Sequence, residues 1–342
     1  MLATLQLILF GVVLVAASVG CIVGVRRLTY WTRLDHYFIG EVAVTFAWVL
    51  PEYLIAVHAI HAAGALAYHM GDPYISVAAT VGSAAANMLV IGLLSSLAPE
   101  RAGLETAKTS RPLGSAAATL LVTCLSVVGL GFTRADGMSV AGFIAGCFIY
   151  AVLFACVRMV SREIAKAIPI DADFLFPTGR GTLVNSVALA GASIVILAYV
   201  SLPFVELAIP WFRSGNDLPH GMRALLRSGL TIALALFMGI PDFIVSASDL
   251  RDKGADTPVP RLFISSAMLI AFTVVAGMNP DHLHDAFATS LFASFTLTVF
   301  VVALTVILLL AISSRLSTRV RGMIVTGVAL AGFAFSLLVT GH

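Results

Sequence analysis

The sequence predicts an all-α integral membrane protein whose ten transmembrane helices form two inverted five-helix repeats. Three observations lead there. Of 342 residues, 59% are hydrophobic and only 11% charged, and the mean hydropathy is +1.00, a balance that no soluble globular domain carries. Apolar runs of roughly 20 residues, the length that crosses a bilayer, recur along the whole chain. Lys and Arg fall unevenly between alternate connections, which fixes the sense of each crossing.

The first run, 5–25, lacks a basic leader and a small-residue cleavage site, so it reads as a helix and not as a signal peptide. The remaining runs are 41–67, 75–98, 113–132, 137–158, 182–209, 224–250, 260–278, 285–311 and 322–340. The longest connection follows span five and carries Arg162, Glu163, Lys166, Asp171, Asp173 and Arg180. It divides the chain into a first repeat over 1–160, a cytoplasmic connection over 161–181 and a second repeat over 182–342. Odd-numbered connections hold sixteen of the twenty basic residues and even-numbered ones four. Positive charge stays in the cytoplasm, so both termini lie outside it, and five spans per half give the halves opposite topology. The expected location is the bacterial inner (cell) membrane. The net charge of +2 gives no reason to expect nucleic acid as a partner; the lipid bilayer is the partner composition demands. Cys21, Cys124, Cys147 and Cys156 lie in or beside apolar runs and read as small buried hydrophobes.

Span two contains Leu50-Pro51-Glu52 and span seven contains Ile240-Pro241-Asp242, 190 residues apart. A carboxylate at membrane depth is costly unless paired, hydrated or bound to a cation. Each proline removes the helical donor to the carbonyl four residues earlier, exposing backbone carbonyls around Ala47 and Trp48, and around Phe237 and Met238. Carbonyls with two facing carboxylates make a hard oxygen site suited to Ca²⁺, Na⁺ or a related cation. A single such acid could equally sit at a helix end near water. Two in matched positions of inverted halves point to a midplane transport site.

Span three places Ser83 and Asn87 four residues apart on one helix face, among small residues that also suit helix packing. Its counterpart in span eight keeps Ser265 and Ser266 but has no amide or acid four residues on. Asp242, Ser246 and Asp249 form one polar stripe, with Asp249 at the solvated end. His58 and His61 follow Glu52 and fit either a proton relay or an interhelical hydrogen bond. His282 and His284 read as solvated loop residues.

These motifs, in this order, resemble the cation/calcium exchanger superfamily. There, each repeat carries a Gly-Thr-Ser-Leu-Pro-Glu stretch and, one helix later, a Gly-Asn-x-x-Gly-Ser-Asn-x-x-Asn/Asp stretch. Leu50-Pro51-Glu52 matches the end of the first motif and Ile240-Pro241-Asp242 its repeat. Gly82-Ser83 and Asn87 match the second, and Arg134-Ala135-Asp136-Gly137 resembles an Arg-x-Asp-Gly between helices four and five. The resemblance implies a sodium/calcium exchanger-like fold and cation ligands at Glu52, Asp242, Ser83 and Asn87, with Ser265 or Ser266 as the helix-eight counterpart. It also implies alternating access, with helices one and six sliding past helices two, three, seven and eight. Trp48-Val49 and Met238-Gly239 replace the Thr-Ser pairs, Ala79 and Ala84 the inner asparagines, and Leu269 or Ile270 the helix-eight acid or amide. Most side chains that hold sodium in the family are thereby replaced.

The function so implied is secondary antiport of Ca²⁺ or a related cation against Na⁺ or H⁺. The replaced positions keep two alternatives open: a transport-deficient membrane scaffold or sensor, and a transporter of another solute. No nucleotide-binding loop, catalytic triad or Cys/His metal spacing occurs, so neither enzyme activity nor a cofactor is expected, only the transported cation as ligand.

Overall fold

A computed structural model of the chain describes residues 2–32, 34, 38–65, 75–76, 78–97, 120, 158, 180–213, 219–253, 258–277 and 318–340. Apart from positions 120 and 158, the expected spans 113–132, 137–158 and 285–311 lie outside the described residues. So do the Arg134–Gly137 stretch, His282, His284, most of the central connection and the side chains of His61 and Asp249.

All regular structure among the described residues is helical. The elements are α1 (Leu2–Trp31), α2 (Phe38–Ala65), a π-helical turn (Ala78–Gly82), α3 (Ser83–Leu97), α4 (Arg180–Arg213), α5 (His220–Met238), α6 (Ile240–Lys253), α7 (Pro258–Gly277) and α8 (Thr318–Thr340). Five stretches among the described residues are long and apolar enough to cross a membrane: Leu2–Trp31, Val42–Ala59, Ala78–Leu97, Leu183–Phe212 and Gly221–Ser248. The chain is an integral multi-pass membrane protein.

Span seven carries a turn at Gly239 between α5 and α6, while α2 runs on through Pro51. Gly239 keeps right-handed helical angles, and the ladder continues across it from Gly239 N–H to the Ala235 carbonyl at 3.1 Å and from Phe243 N–H to the Gly239 carbonyl at 3.0 Å. Both prolines lack the N–H that would hold the preceding turn, and each disfavours helical geometry in the residue before it. Val49 precedes Pro51 by two residues, whereas Gly239 holds the same place before Pro241. Glycine is the poorer helix former, which suits the turn in span seven.

In lipid, helix association rests on close packing and interhelical hydrogen bonds, since lipid tails are as apolar as the side chains they replace. Among the described residues α1 packs extensively along α4, and α3 lies in the same way along α8. Small residues allow both. An added methyl at Gly24 would meet the Ala190 backbone nitrogen at 2.6 Å, and one at Gly92 would meet Thr326 Oγ1 at 2.5 Å. Gly20 and Gly24 form a Gly-xxx-Gly pair, the spacing that puts both on one helix face.

The α1/α4 pair flanks a central group of α2, the π-helical turn with α3, α5/α6 and α7. Its apolar seam includes Leu14, Cys21, Ile55, Leu197, Phe204, Phe212 and Met238. Phe204 stacks on Phe237 with centroids 5.8 Å apart. Tyr53, directly after Glu52, donates its hydroxyl to the Met268 carbonyl at 2.9 Å and ties α2 to α7. Tyr53→Phe keeps the ring and removes that bond. The expected result is a loss of about 0.5–1 kcal/mol, read as a small fall in the melting temperature of the detergent-solubilised protein.

Candidate functional site

The four central segments each carry buried polar side chains. From α2 comes Glu52, from α3 Ser83 and Asn87, from α6 Asp242 and Ser246, and from α7 Ser265 and Ser266. All are at most 2% exposed. Glu52 and Asp242 lie close enough to interact electrostatically. Among the described residues no third His, Cys, Asp or Glu joins them.

Asn87 organises the cluster. Its Nδ2 donates to Ser266 Oγ at 3.2 Å and to Ser265 Oγ at 3.4 Å. Both serines spend their one hydroxyl hydrogen on the Leu262 carbonyl, at 2.7 Å from Ser266 and 3.0 Å from Ser265. Their oxygens are therefore acceptors toward Asn87, which fixes which end of the amide faces α7. Asn87 also lies near the Asp242 carboxylate. Spans three, seven and eight thus meet at one amide. In the sequence the missing amide of span eight looked like a weak half of the site; across the helix interface, Asn87 supplies it to both serines.

What remains is a set of buried oxygens with no hydrogen-bond partner: Glu52 Oε2, Asp242 Oδ1, Asn87 Oδ1, Ser83 Oγ and Ser246 Oγ. Buried polar atoms are nearly always paired, because each unpaired one forfeits its hydration for nothing. Here five acceptor-capable oxygens are left from three elements of one cluster. Such a donor set matches the hard-oxygen preference of Ca²⁺ and Na⁺. Trp48 Nε1 is buried and unpartnered as well, one turn before Glu52 on the same face of α2. It is an N–H, so it cannot be a cation ligand; it fills a position where a smaller side chain would leave space.

The backbone carbonyls differ between the halves. Ala47 and Trp48 are buried in α2, with the Ala47 carbonyl deprived of its helical donor by Pro51. In span seven the Gly239 N–H is shared between the carbonyls of Ala235, at 3.1 Å, and Phe237, the carbonyl whose helical donor Pro241 removes. The Met238 side chain is buried in the apolar seam.

His58 is in contact with α4. Its Nδ1 is 2.9 Å from Ser201 Oγ on α4, an interhelical hydrogen bond. Of the two readings the sequence allowed for it, the observed contact is the interhelical one. Ser246 was legible only as part of a stripe; nothing in its sequence context marks its hydroxyl as unpartnered.

No family model matches the chain, and no curated protein matches it. Two solved structures do. The sodium-calcium exchanger NCX_Mj, soaked with Na⁺ and Sr²⁺, superposes with a TM-score of 0.57 at 17% identity, over 97% of this chain and 98% of that one. The H⁺/Ca²⁺ exchanger CAX superposes with a TM-score of 0.58 at 14% identity, over 99% of this chain and 86% of that one. The fold is exchanger-like. It extends over nearly the whole chain, so the exchanger-like topology expected from the Pro-carboxylate repeats holds in the tertiary structure.

Proposed function

We propose that the protein is a secondary cation antiporter, exchanging Ca²⁺ or a related cation for Na⁺ or H⁺ by alternating access at Glu52 and Asp242. The observation that carries the reading is the set of unpartnered buried oxygens around two interacting carboxylates. Two carboxylates carry the charge that one divalent cation neutralises, and two monovalent cations or two protons neutralise it equally. Competition for the same two acids is the simplest basis for obligatory exchange. The exchanger-like fold favours the same class, since both superposing structures are named as cation exchangers. In this reading the residues of 1–160 and 182–342 act as the two inverted repeats, and the Lys/Arg distribution sets both termini outside the cytoplasm. The α1/α4 pair, joined along its length by small residues, moves as a unit against the central helices.

The test is ⁴⁵Ca²⁺ uptake into proteoliposomes holding the purified protein, driven in turn by an outward Na⁺ or H⁺ gradient. Uptake above that of protein-free vesicles with one of the two gradients is the expected result, and the gradient that works names the counter-ion. Absence of Ca²⁺ and Sr²⁺ movement with both gradients would overturn the reading. Loss of Trp48-sized bulk at the site separates the solute alternative: Trp48→Ser should change ion preference in an exchanger and leave organic-cation uptake at background.

A further inference from the structure

Buried hydroxyls in apolar helices ordinarily donate to the carbonyl three or four residues back. Ser18, Thr80, Ser265 and Ser266 do so here, at 2.7–3.0 Å. Ser246 does not. It is 0% exposed, and its Oγ has no hydrogen-bond partner. It follows Asp242 by four residues in α6, so the two side chains stand one turn apart on one helix face. Asp242 Oδ1 is also buried and unpartnered.

The two oxygens do not hydrogen-bond each other, although one carries a proton and the other is an acceptor. No direct O–H···O contact joins them, and both keep lone pairs for another partner. With bonds of about 2.3–2.6 Å, two oxygens ligating one hard cation lie up to about 5 Å apart. Neighbours four apart on a helix, roughly 5–6 Å between their Cβ atoms, reach that spacing easily.

α5 packs against both the π-helical turn and α3, and α6 packs against α3. Asn87 lies near Asp242. Ser83 precedes Asn87 by one turn and Ser246 follows Asp242 by one turn, each about 6 Å along its own helix at 1.5 Å per residue. Ser83, Asn87, Glu52, Asp242 and Ser246 each carry an unpartnered oxygen.

We propose that Ser246 Oγ is a direct ligand of the transported divalent cation, bridging with Asp242 Oδ1 from one helical turn further along α6. Ser246 thereby sets ion preference, as a neutral hard ligand added to the two acids. The proposal rests on the cation-site reading above and goes beyond it in naming a ligand that neither the sequence motifs nor the central acids require.

Isothermal titration of the purified full chain with Ca²⁺ and separately with Cd²⁺ tests it. Ser246→Ala is expected to weaken Ca²⁺ binding about three- to tenfold, the worth of one neutral polar contact. Ser246→Cys, nearly the same size but with a soft sulfur, is expected to weaken Ca²⁺ binding similarly and to tighten Cd²⁺ binding relative to wild type. A merely structural hydroxyl would not produce that opposite movement. Unchanged Ca²⁺ titration in Ser246→Ala, or no shift toward Cd²⁺ in Ser246→Cys, overturns this ligand while leaving the site intact. A wild-type protein that binds neither ion overturns the cation site and this ligand with it.

Discussion

Glu52→Gln and Asp242→Asn should each reduce cation flux about a hundredfold or more, which is the loss expected when a charged ligand is removed outright. Each substitution keeps the shape of the side chain and removes only its negative charge. The remaining acid then faces a divalent cation with half the compensating charge, in surroundings that screen little. The same variants should stay monodisperse and melt close to wild type, because a neutral amide is easier to bury than an unpaired carboxylate. Flux in proteoliposomes and melting in detergent together check this. Near-normal transport by both variants would remove the carboxylates from the mechanism.

Gly24→Val should cost about 1–3 kcal/mol, the usual penalty of forcing extra volume into a packed interface. A Cβ at this position falls 2.6 Å from the Ala190 nitrogen and 2.9 Å from its Cα, and backbone atoms cannot rotate away as a side-chain tip can. α1 and α4 would have to separate along the face that holds them together. Gly191 provides the control on the same partner helix. Nothing lies within 4 Å of a Cβ placed there, so Gly191→Ala should be neutral or slightly stabilising. Melting temperatures of the two variants, measured in one detergent, give the comparison. Equal stability would show that the α1/α4 crossing yields to added bulk.

Some of the site was legible in the sequence because membrane burial makes certain residues conspicuous. Glu52 and Asp242 stand out, since a carboxylate inside an apolar run has a cost that calls for a partner. The adjoining prolines stand out for the same kind of reason, as donors withheld where no water can replace them. Span lengths and the bias of Lys and Arg gave an expected topology without any contact being known. Serine and glycine are different. Both are common and cheap in membrane helices, so neither Ser246 nor the Gly20/Gly24 pair carries a signal until its neighbours are placed. The turn at Gly239 was hidden within a continuous apolar run, and the π-helical turn before Ser83 was hidden in the same way.

The sequence by itself determined that the chain lies in the membrane, that two acids follow prolines in apolar spans, and that their neighbours depart from the hydroxyl-rich pattern of the exchangers it resembles. These follow from the price of charge and backbone in hydrocarbon, which depends on residue type and order alone. Tertiary structure decided which oxygens are left unpartnered. Asn87 is committed to Ser265 and Ser266, the Phe237 carbonyl to its cap, and His58 to Ser201, while Ser83 and Ser246 are left over. Hydrogen-bond partners are assigned by distance and angle between different helices, a matter of a few tenths of an ångström that no spacing along one strand of text contains.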